Sequence, residues 1–148
     1  MYRRNYLSLF VHLVWATWER QPLLIGTTQQ EVYRAIGAKC AELGADLVAL
    51  GGIEDHVHLL VSLPATLTIA NLAGQVKGVS SHLITHEGAA PSGDLFKWQG
   101  TYGAFTVSQQ LVRDVTNYIL HQREHHASGT LKDDWENTFT AIQPPAVP

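Results

Sequence analysis

Residues 45–63 read ADLVALGGIEDHVHLLVSL and contain two short β-like runs, 45–53 and 56–63, separated by Glu54 and Asp55. In the second run, successive residues are expected to point to opposite faces, which is the period of a strand. Two polar residues between two such runs are typical of a tight connection. The stretch therefore predicts an antiparallel hairpin.

Strand and helix patterns continue on both sides of this hairpin. Residues 5–17 alternate with a period of two and are largely apolar on both faces, which predicts a central strand. Thr27 or Thr28 is expected to cap a helix that Gly44 ends. The remaining predicted elements are a helix over residues 68–86, a turn-rich stretch over 87–94, a short strand near 95–98 or 102–105, and a last helix over 108–126.

The order β, α, β, β, α, β, α is typical of the α+β, ferredoxin-like split βαβ arrangement, an antiparallel sheet with helices on one face. The last helix is added to this unit, and Thr106 with Gln109 forms a capping-box pattern before it. A chain of 148 residues has room for one domain, which we expect over residues 1–126. Residues 127–148 lack a core-forming pattern and are expected to form a loose, acidic tail that contains prolines.

The composition excludes several classes of protein. Hydrophobic residues at 45% and charged residues at 16% are ordinary for a globular domain and not for a disordered chain. The single cysteine, Cys40, excludes an intrachain disulfide and a thiolate metal cluster, so a metal would need histidine, carboxylate or amide ligands. The most apolar stretch, residues 7–16, is much shorter than the roughly 20 residues of a membrane helix. With no secretory cleavage pattern after it, we expect a cytoplasmic protein without membrane contact.

The net charge of −3 argues against a generally basic surface. A nucleic-acid-binding protein of this charge needs its cations gathered on one face.

His56 and His58 lie two residues apart in the second run of the hairpin. On a strand they project to the same face, while Val57, Leu59 and Val61 enter the core. Two neutral imidazoles side by side are able to share one divalent cation. The alternative is that both are polar residues on the open face of a sheet.

The last predicted helix carries a second group of functional side chains. Tyr118, Gln122 and His125 share one face of it, at spacings of four and three. His121 and His126 add two more imidazoles to the same segment. Tyr118 alone is compatible with an apolar helix stripe, but a nearby metal would explain the excess of polar nitrogens around it.

Five motifs occur in a fixed order along the chain, and together they are specific although each is weak. They are HLVWAT (12–17) with RQPLL (20–24), DHVHLLV (55–61), VKGVSS (76–81), WQGTYGAFTVS (98–108) and YILHQREHH (118–126). Over about residues 6–126 the chain resembles the HUH-type single-strand DNA transposases with one catalytic tyrosine. This is the insertion sequence two-hundred-like family, which includes the REP-associated tyrosine transposases.

The resemblance implies that His56 and His58 are metal ligands, with Gln122 as the third ligand of Mg²⁺ or Mn²⁺. It also implies that Tyr118 attacks a scissile phosphate and leaves a 5′-phosphotyrosine and a free 3′-hydroxyl. Reverse attack by another 3′-hydroxyl then joins strands. A phenol with a pKa of about 10 needs nearby positive charge or a base to become a nucleophile. A cation also polarises the phosphate oxygens.

The resemblance further implies two partners, single-stranded DNA that carries a hairpin and a second copy of the chain. In such a homodimer each active site takes its tyrosine helix from the partner, and the short connection over residues 100–106 favours this exchange. Candidate DNA contacts are Trp98 and Tyr102 for stacking on bases, and Lys77, Arg3 and Arg4 for phosphates. The alternative is core packing for each aromatic residue and simple solvent exposure for Lys77. The acidic segment KDDWE (132–136) differs from the basic C-terminal segments of many REP-associated relatives.

Three alternatives remain beside this interpretation. A histidine-triad nucleotide hydrolase would need a third histidine where Leu60 stands. A non-catalytic RNA-binding module on the same fold would need aromatic residues on its middle strands, and residues 45–63 contain none. A domesticated relative that binds or cuts DNA hairpins without moving DNA has the same residues and stays open.

Overall fold

A computed structural model describes residues 2–87 and 96–141 of the chain. A four-stranded antiparallel sheet in the order β2-β3-β1-β4 organises these residues. In chain order the elements are β1 (Phe10–Ala16), α1 (Gly26–Glu42), β2 (Asp46–Ile53), β3 (His56–Ser62), α2 (Ile69–Glu87), β4 (Gly103–Val107), α3 (Val112–Leu120) and α4 (Gln122–Ser128). The predicted hairpin is formed by β2 and β3, and the predicted split βαβ fold is confirmed.

The two faces of the sheet pack against different parts of the chain. Val57, Leu59 and Val61 of β3 pack into the main core against α1 and α2, as the alternation predicts. The opposite face carries a smaller apolar cluster in which Leu60 meets Ile119 of α3. Because β1 pairs with both β3 and β4, it is the buried central strand that the sequence predicts.

The first strand is shorter than the alternation suggests. Residues 5–9 are exposed, and β1 begins at Phe10, which pairs with Ser62 and Val107. Those partners stand at the ends of β3 and β4, so the ladder has no strand on which to extend towards Asn5.

The predicted threonine cap at the start of α1 is not formed. The residue before α1 is Ile25, no side chain caps this helix, and Thr28 is buried instead. The end of α1 is as predicted, because Gly44 has a φ of 77° and the amide of Ala45 donates to the carbonyl of Cys40 at 2.9 Å.

The last predicted helix is interrupted. A 3-10 turn at Gln109–Leu111 precedes α3, and His121, with φ −114° and ψ 30°, separates α3 from α4. The capping box is absent because Thr106 lies in β4, and the Oε1 atom of Gln109 accepts a hydrogen bond from Tyr6 at 3.1 Å. Residues 88–95, which include most of the predicted turn-rich stretch, lie outside the described residues.

Part of the segment that we expected to be a loose tail packs against the domain. After α4 and the left-handed Gly129, a 3-10 helix at Asp133–Glu136 follows. Trp135 packs against the smaller apolar cluster, and Thr138 is only 4% exposed. Trp135 therefore anchors a segment that its polar composition predicts to be loose. The domain boundary at residue 126 stays a prediction.

None of the helices in residues 2–87 and 96–141 has the length and apolar character needed to cross a membrane.

Candidate active site

His56 and His58 project side by side from β3, and both are fully buried. Their ring centroids lie 5.0 Å apart. The Nδ1 atom of His56 donates to Oδ1 of Asp55 at 2.7 Å, because an ionised carboxylate only accepts. This bond leaves the Nε2 atom of His56 facing the opposite side of the ring, as in metal sites where an outer carboxylate orients a histidine ligand.

His12 supports the second histidine from the neighbouring strand. Its Nε2 atom lies 2.8 Å from Nδ1 of His58, and it is buried on the same face of β1. Burial and the nearby His58 lower the pKa of His12 to about 3, so His12 is neutral at pH 7. In the tautomer in which Nδ1 of His58 donates to His12, the Nε2 atom of His58 carries no proton and is free to ligate; in the other tautomer Nε2 donates to Glu136. His12 is the first residue of the HLVWAT motif (12–17), but nothing in the sequence indicated that it would pair with His58 across the two strands.

Tyr118 and Gln122 reach the histidine pair from α3 and α4. Gln122 Oε1 lies 3.2 Å from Nε2 of His56, and the amide nitrogen of the same side chain donates to the backbone carbonyl of Tyr118. The Tyr118 ring lies 5.8 Å from the ring of His58, edge to face. Tyr118 and Gln122 thus both lie beside the two histidines of the same chain.

Glu136 joins the two groups and was not among the predicted site residues. Its Oε2 atom lies 3.1 Å from Nε2 of His58 and 3.3 Å from Nε2 of His56. Its Oε1 atom accepts a 2.5 Å hydrogen bond from the hydroxyl of Tyr118. The available signal was Trp135, a large aromatic residue in a polar segment, next to an acid.

Burial and hydrogen bonding shift the pKa values of this cluster in opposite directions. Burial alone would lower the pKa of His56, but the carboxylates of Asp55 and Glu136 raise it to about 9. Burial outweighs Glu136 at His58 and lowers its pKa. Burial would raise the pKa of Glu136, yet the bonds from His56 and His58 hold it well below its usual range.

The phenol of Tyr118 is protonated at neutral pH. Burial, reinforced by the carboxylate of Glu136, raises its pKa to about 12. Its oxygen also accepts a hydrogen bond from the backbone N–H of Lys132 at 3.0 Å. Attack by this oxygen therefore needs a group that removes its proton.

The donor set fits a divalent cation. One ligand atom from each of His56, His58 and Glu136 lies within 4.8 Å of the other two, and Oε1 of Gln122 is adjacent. Imidazole nitrogens with carboxylate and amide oxygens are ligands that Mn²⁺ accepts, and the oxygens also suit Mg²⁺. His126, 3.4 Å from Nε2 of His56, is a further imidazole at the edge of the cluster, whereas His125 stacks on Tyr118.

The predicted DNA contacts are not among the residues of this cluster. Trp98 is 7% exposed and donates to Ser80, whereas Tyr102 is partly buried against the main core. Their role in base stacking stays a prediction. Lys77 donates to the carbonyls of Gln99 and Thr101 at 2.7 and 3.2 Å. Arg3 and Arg4 are exposed ahead of β1.

A family model described as "Transposase IS200 like" matches residues 5–122. The ISDra2 transposase TnpA of Deinococcus radiodurans is 26% identical over 129 residues, with 82% of this chain and 89% of the relative covered. A Salmonella typhimurium protein, the transposase for insertion sequence element IS200, is 26% identical over 125 residues, with 80% of this chain and 79% of the relative covered.

Two solved structures have the same fold. A crystal structure of a putative transposase from Deinococcus radiodurans superposes with a TM-score of 0.62 at 25% identity, covering 80% of this chain and 95% of that one. A REP-associated tyrosine transposase bound to a REP hairpin superposes with a TM-score of 0.64 at 18% identity, covering 99% of each chain. Glu136 lies beyond the residues that the family model matches.

Proposed function

The chain belongs to the family of IS200-like transposases, and from this premise we propose that it cleaves and rejoins single-stranded DNA through a 5′-phosphotyrosine at Tyr118. The observation that carries the proposal is the shared carboxylate of Glu136, which links the Tyr118 hydroxyl to His56 and His58. A nucleophile and a potential metal site therefore meet within one buried cluster, as covalent phosphoryl transfer requires.

His56, His58 and Gln122 would hold Mg²⁺ or Mn²⁺, because Oε1 of Gln122 lies 3.2 Å from Nε2 of His56 and hydrogen bonds with Asp55 and His12 orient the two imidazoles. When bound, the cation supplies positive charge to the phosphate oxygens of the substrate. The chain supplies the attacking oxygen of Tyr118, whose position the amide of Lys132 fixes. Because the covalent link preserves the phosphodiester bond energy, rejoining needs no nucleotide cofactor.

We propose single-stranded DNA with a hairpin as the substrate. Support comes from the family and from a REP-associated tyrosine transposase of the same fold, whose structure was solved with a bound REP hairpin. Lys77, Arg3 and Arg4 are candidates for phosphate contacts in the present chain. We also propose that the protein acts in the cytoplasm and that two copies associate as a homodimer.

Replacing Tyr118 by Phe is the direct test of this function. We expect Tyr118→Phe to form no covalent protein–DNA adduct with a single-stranded hairpin substrate, while hairpin binding stays within a few fold of the wild type, because only the attacking oxygen is removed. Denaturing gels measure the adduct and a gel-shift assay measures binding. Tyr33→Phe in α1 is the matched control and should form the adduct.

Wild-type adduct formation should require Mg²⁺ or Mn²⁺ and stop in excess EDTA. An adduct formed by Tyr118→Phe would exclude this tyrosine as nucleophile, and full cleavage in EDTA would exclude the metal.

A further inference from the structure

Resting on this proposed function, we propose that Glu136 serves the reaction with both carboxylate oxygens, one as a metal ligand beside His56 and His58 and the other as the proton acceptor for Tyr118. The residue comes from the segment after α4, outside the part of the chain that the family model covers. It would make this segment part of the catalytic centre.

The two oxygens face different partners. Oε2 lies 3.1 Å from His58 Nε2 and 3.3 Å from His56 Nε2, while Oε1 accepts the 2.5 Å hydrogen bond of Tyr118. A carboxylate in this position is able to bind a cation through one oxygen and keep the second on the phenol. Two further titratable groups interact with it electrostatically, His12 on β1 and His126 on α4.

The segment around Glu136 is fixed on both sides of the residue. Trp135 packs edge to face on Tyr118, with ring centroids 5.1 Å apart. The carbonyl of Asn137 lies so close to Gly103 of β4 that a Cβ on Gly103 would meet it at 1.9 Å. Thr138 is buried and donates to Gln99. The carboxylate is thus held in place by its neighbours and is not the end of a free tail.

The proposed step balances in atoms and charge. The Oη–H bond of Tyr118 breaks, and its proton passes to Oε1 of Glu136. The bond from Oη to phosphorus forms as the bond from phosphorus to the 3′-oxygen breaks, and the leaving 3′-oxygen takes a proton from water. In strand joining the attacking 3′-hydroxyl loses its proton to water and Glu136 returns its proton to Tyr118. The N–H of Lys132 donates to the same tyrosine oxygen at 3.0 Å.

Binding of Mn²⁺ alone tests the ligand role without any reaction. Titration calorimetry on the metal-free full chain should give one site, and Glu136→Gln should raise its Kd by about tenfold or more. Asp134→Asn removes the same charge from an exposed neighbour and should leave the Kd within twofold. An unchanged Kd in Glu136→Gln would overturn the ligand role. A lower Kd would overturn it too, because it would mean that the carboxylate closes the site against metal.

Chemical rescue tests the proton-acceptor role. Glu136→Ala should form the Tyr118 adduct slowly, and added formate or acetate should restore the rate, more strongly for the more basic carboxylate. Wild type and Asp134→Ala should not respond. Absence of rescue in a Glu136→Ala protein that unfolds like wild type, or rescue independent of carboxylate basicity, would overturn this role. If even the wild type forms no adduct, the proposed function fails, while the Mn²⁺ titration still decides the ligand role.

Discussion

The charge of His56 depends on the two carboxylates beside it. In the metal-free protein its pKa is raised from 6.5 to about 9, since Asp55 and Glu136 outweigh burial. Folding therefore favours the protonated imidazole. This contribution is complete below pH 6.5 and is lost as the pH rises through about 9. The depressed pKa values of Asp55 and Glu136 act in the opposite direction and contribute above their ordinary range, with loss on acidification.

We therefore expect the EDTA-treated protein to lose stability between pH 6.5 and about 9, by up to about 3 kcal/mol from this group. Thermal unfolding across this range measures the loss. His56→Gln should show a flatter dependence, because the titrating imidazole is gone. Parallel curves for the two proteins would contradict the assignment of the raised pKa to His56.

At the scale of single residues, the sequence predicted what local periodicity controls. His56 and His58 share a face because strand side chains alternate, and Tyr118 and Gln122 were predicted to be neighbours because residues four apart are adjacent on a helix surface. Glu136 was missed because its contact with His58 spans 78 positions of the chain. No local pattern encodes a contact that depends on how a distant segment folds back onto the sheet.

At the scale of elements, the hairpin of β2 and β3 followed directly from its apolar alternation and its turn. The break at His121 did not, because the sequence from Val112 to Ser128 has no proline or glycine to mark it. The break lets α3 end against β2 while Gln122, at the start of α4, turns its amide oxygen to His56. Tertiary packing produces this break, and helix propensity alone does not predict it.

Close approach of α3 to β2 depends on Gly51. A Cβ at this position would meet the carbonyl oxygen of Ile119 at 2.3 Å. We expect Gly51→Ala to push α3 away from the sheet, to destabilise the fold by on the order of 1–3 kcal/mol and to reduce adduct formation, because Tyr118 moves with α3.

Gly74→Ala is the matched control for this change. A Cβ on Gly74, within α2, would have no neighbour within 4 Å, so the substitution should stabilise the helix by about 0.5–1 kcal/mol. Urea unfolding measures both variants. If Gly51→Ala unfolds at the wild-type urea concentration, α3 does not pack as closely on β2 as described.

At the scale of the whole molecule, the structure bears on how two copies would share their sites. The sequence led us to expect a homodimer in which the tyrosine helix of each chain serves its partner. Within one chain, however, α3 packs on its own β2, and Tyr118 lies beside its own His58. We therefore now expect each chain to build its own site, whether or not two copies associate.

A mixing experiment distinguishes these arrangements. Tyr118→Phe protein and His56→Ala, His58→Ala protein are each expected to be inactive, and their mixture should remain inactive after subunit exchange. Exchange is verified with two differently tagged chains, and wild type at the same dilution is the positive control. Recovery of adduct formation in the mixture would mean that the tyrosine helix is exchanged between subunits.

The alternation of β3 between the main core and the histidine pair also limits how a gene for this chain is able to evolve. A substitution alters one side chain, whereas an inserted or deleted codon within β3 would turn every following side chain to the opposite face. Leu59 would then enter the polar cluster and His58 the apolar layer beneath α1, so stability and chemistry would be lost together. Descendant lineages should therefore gain and lose residues in loops and keep the length of β3 unchanged.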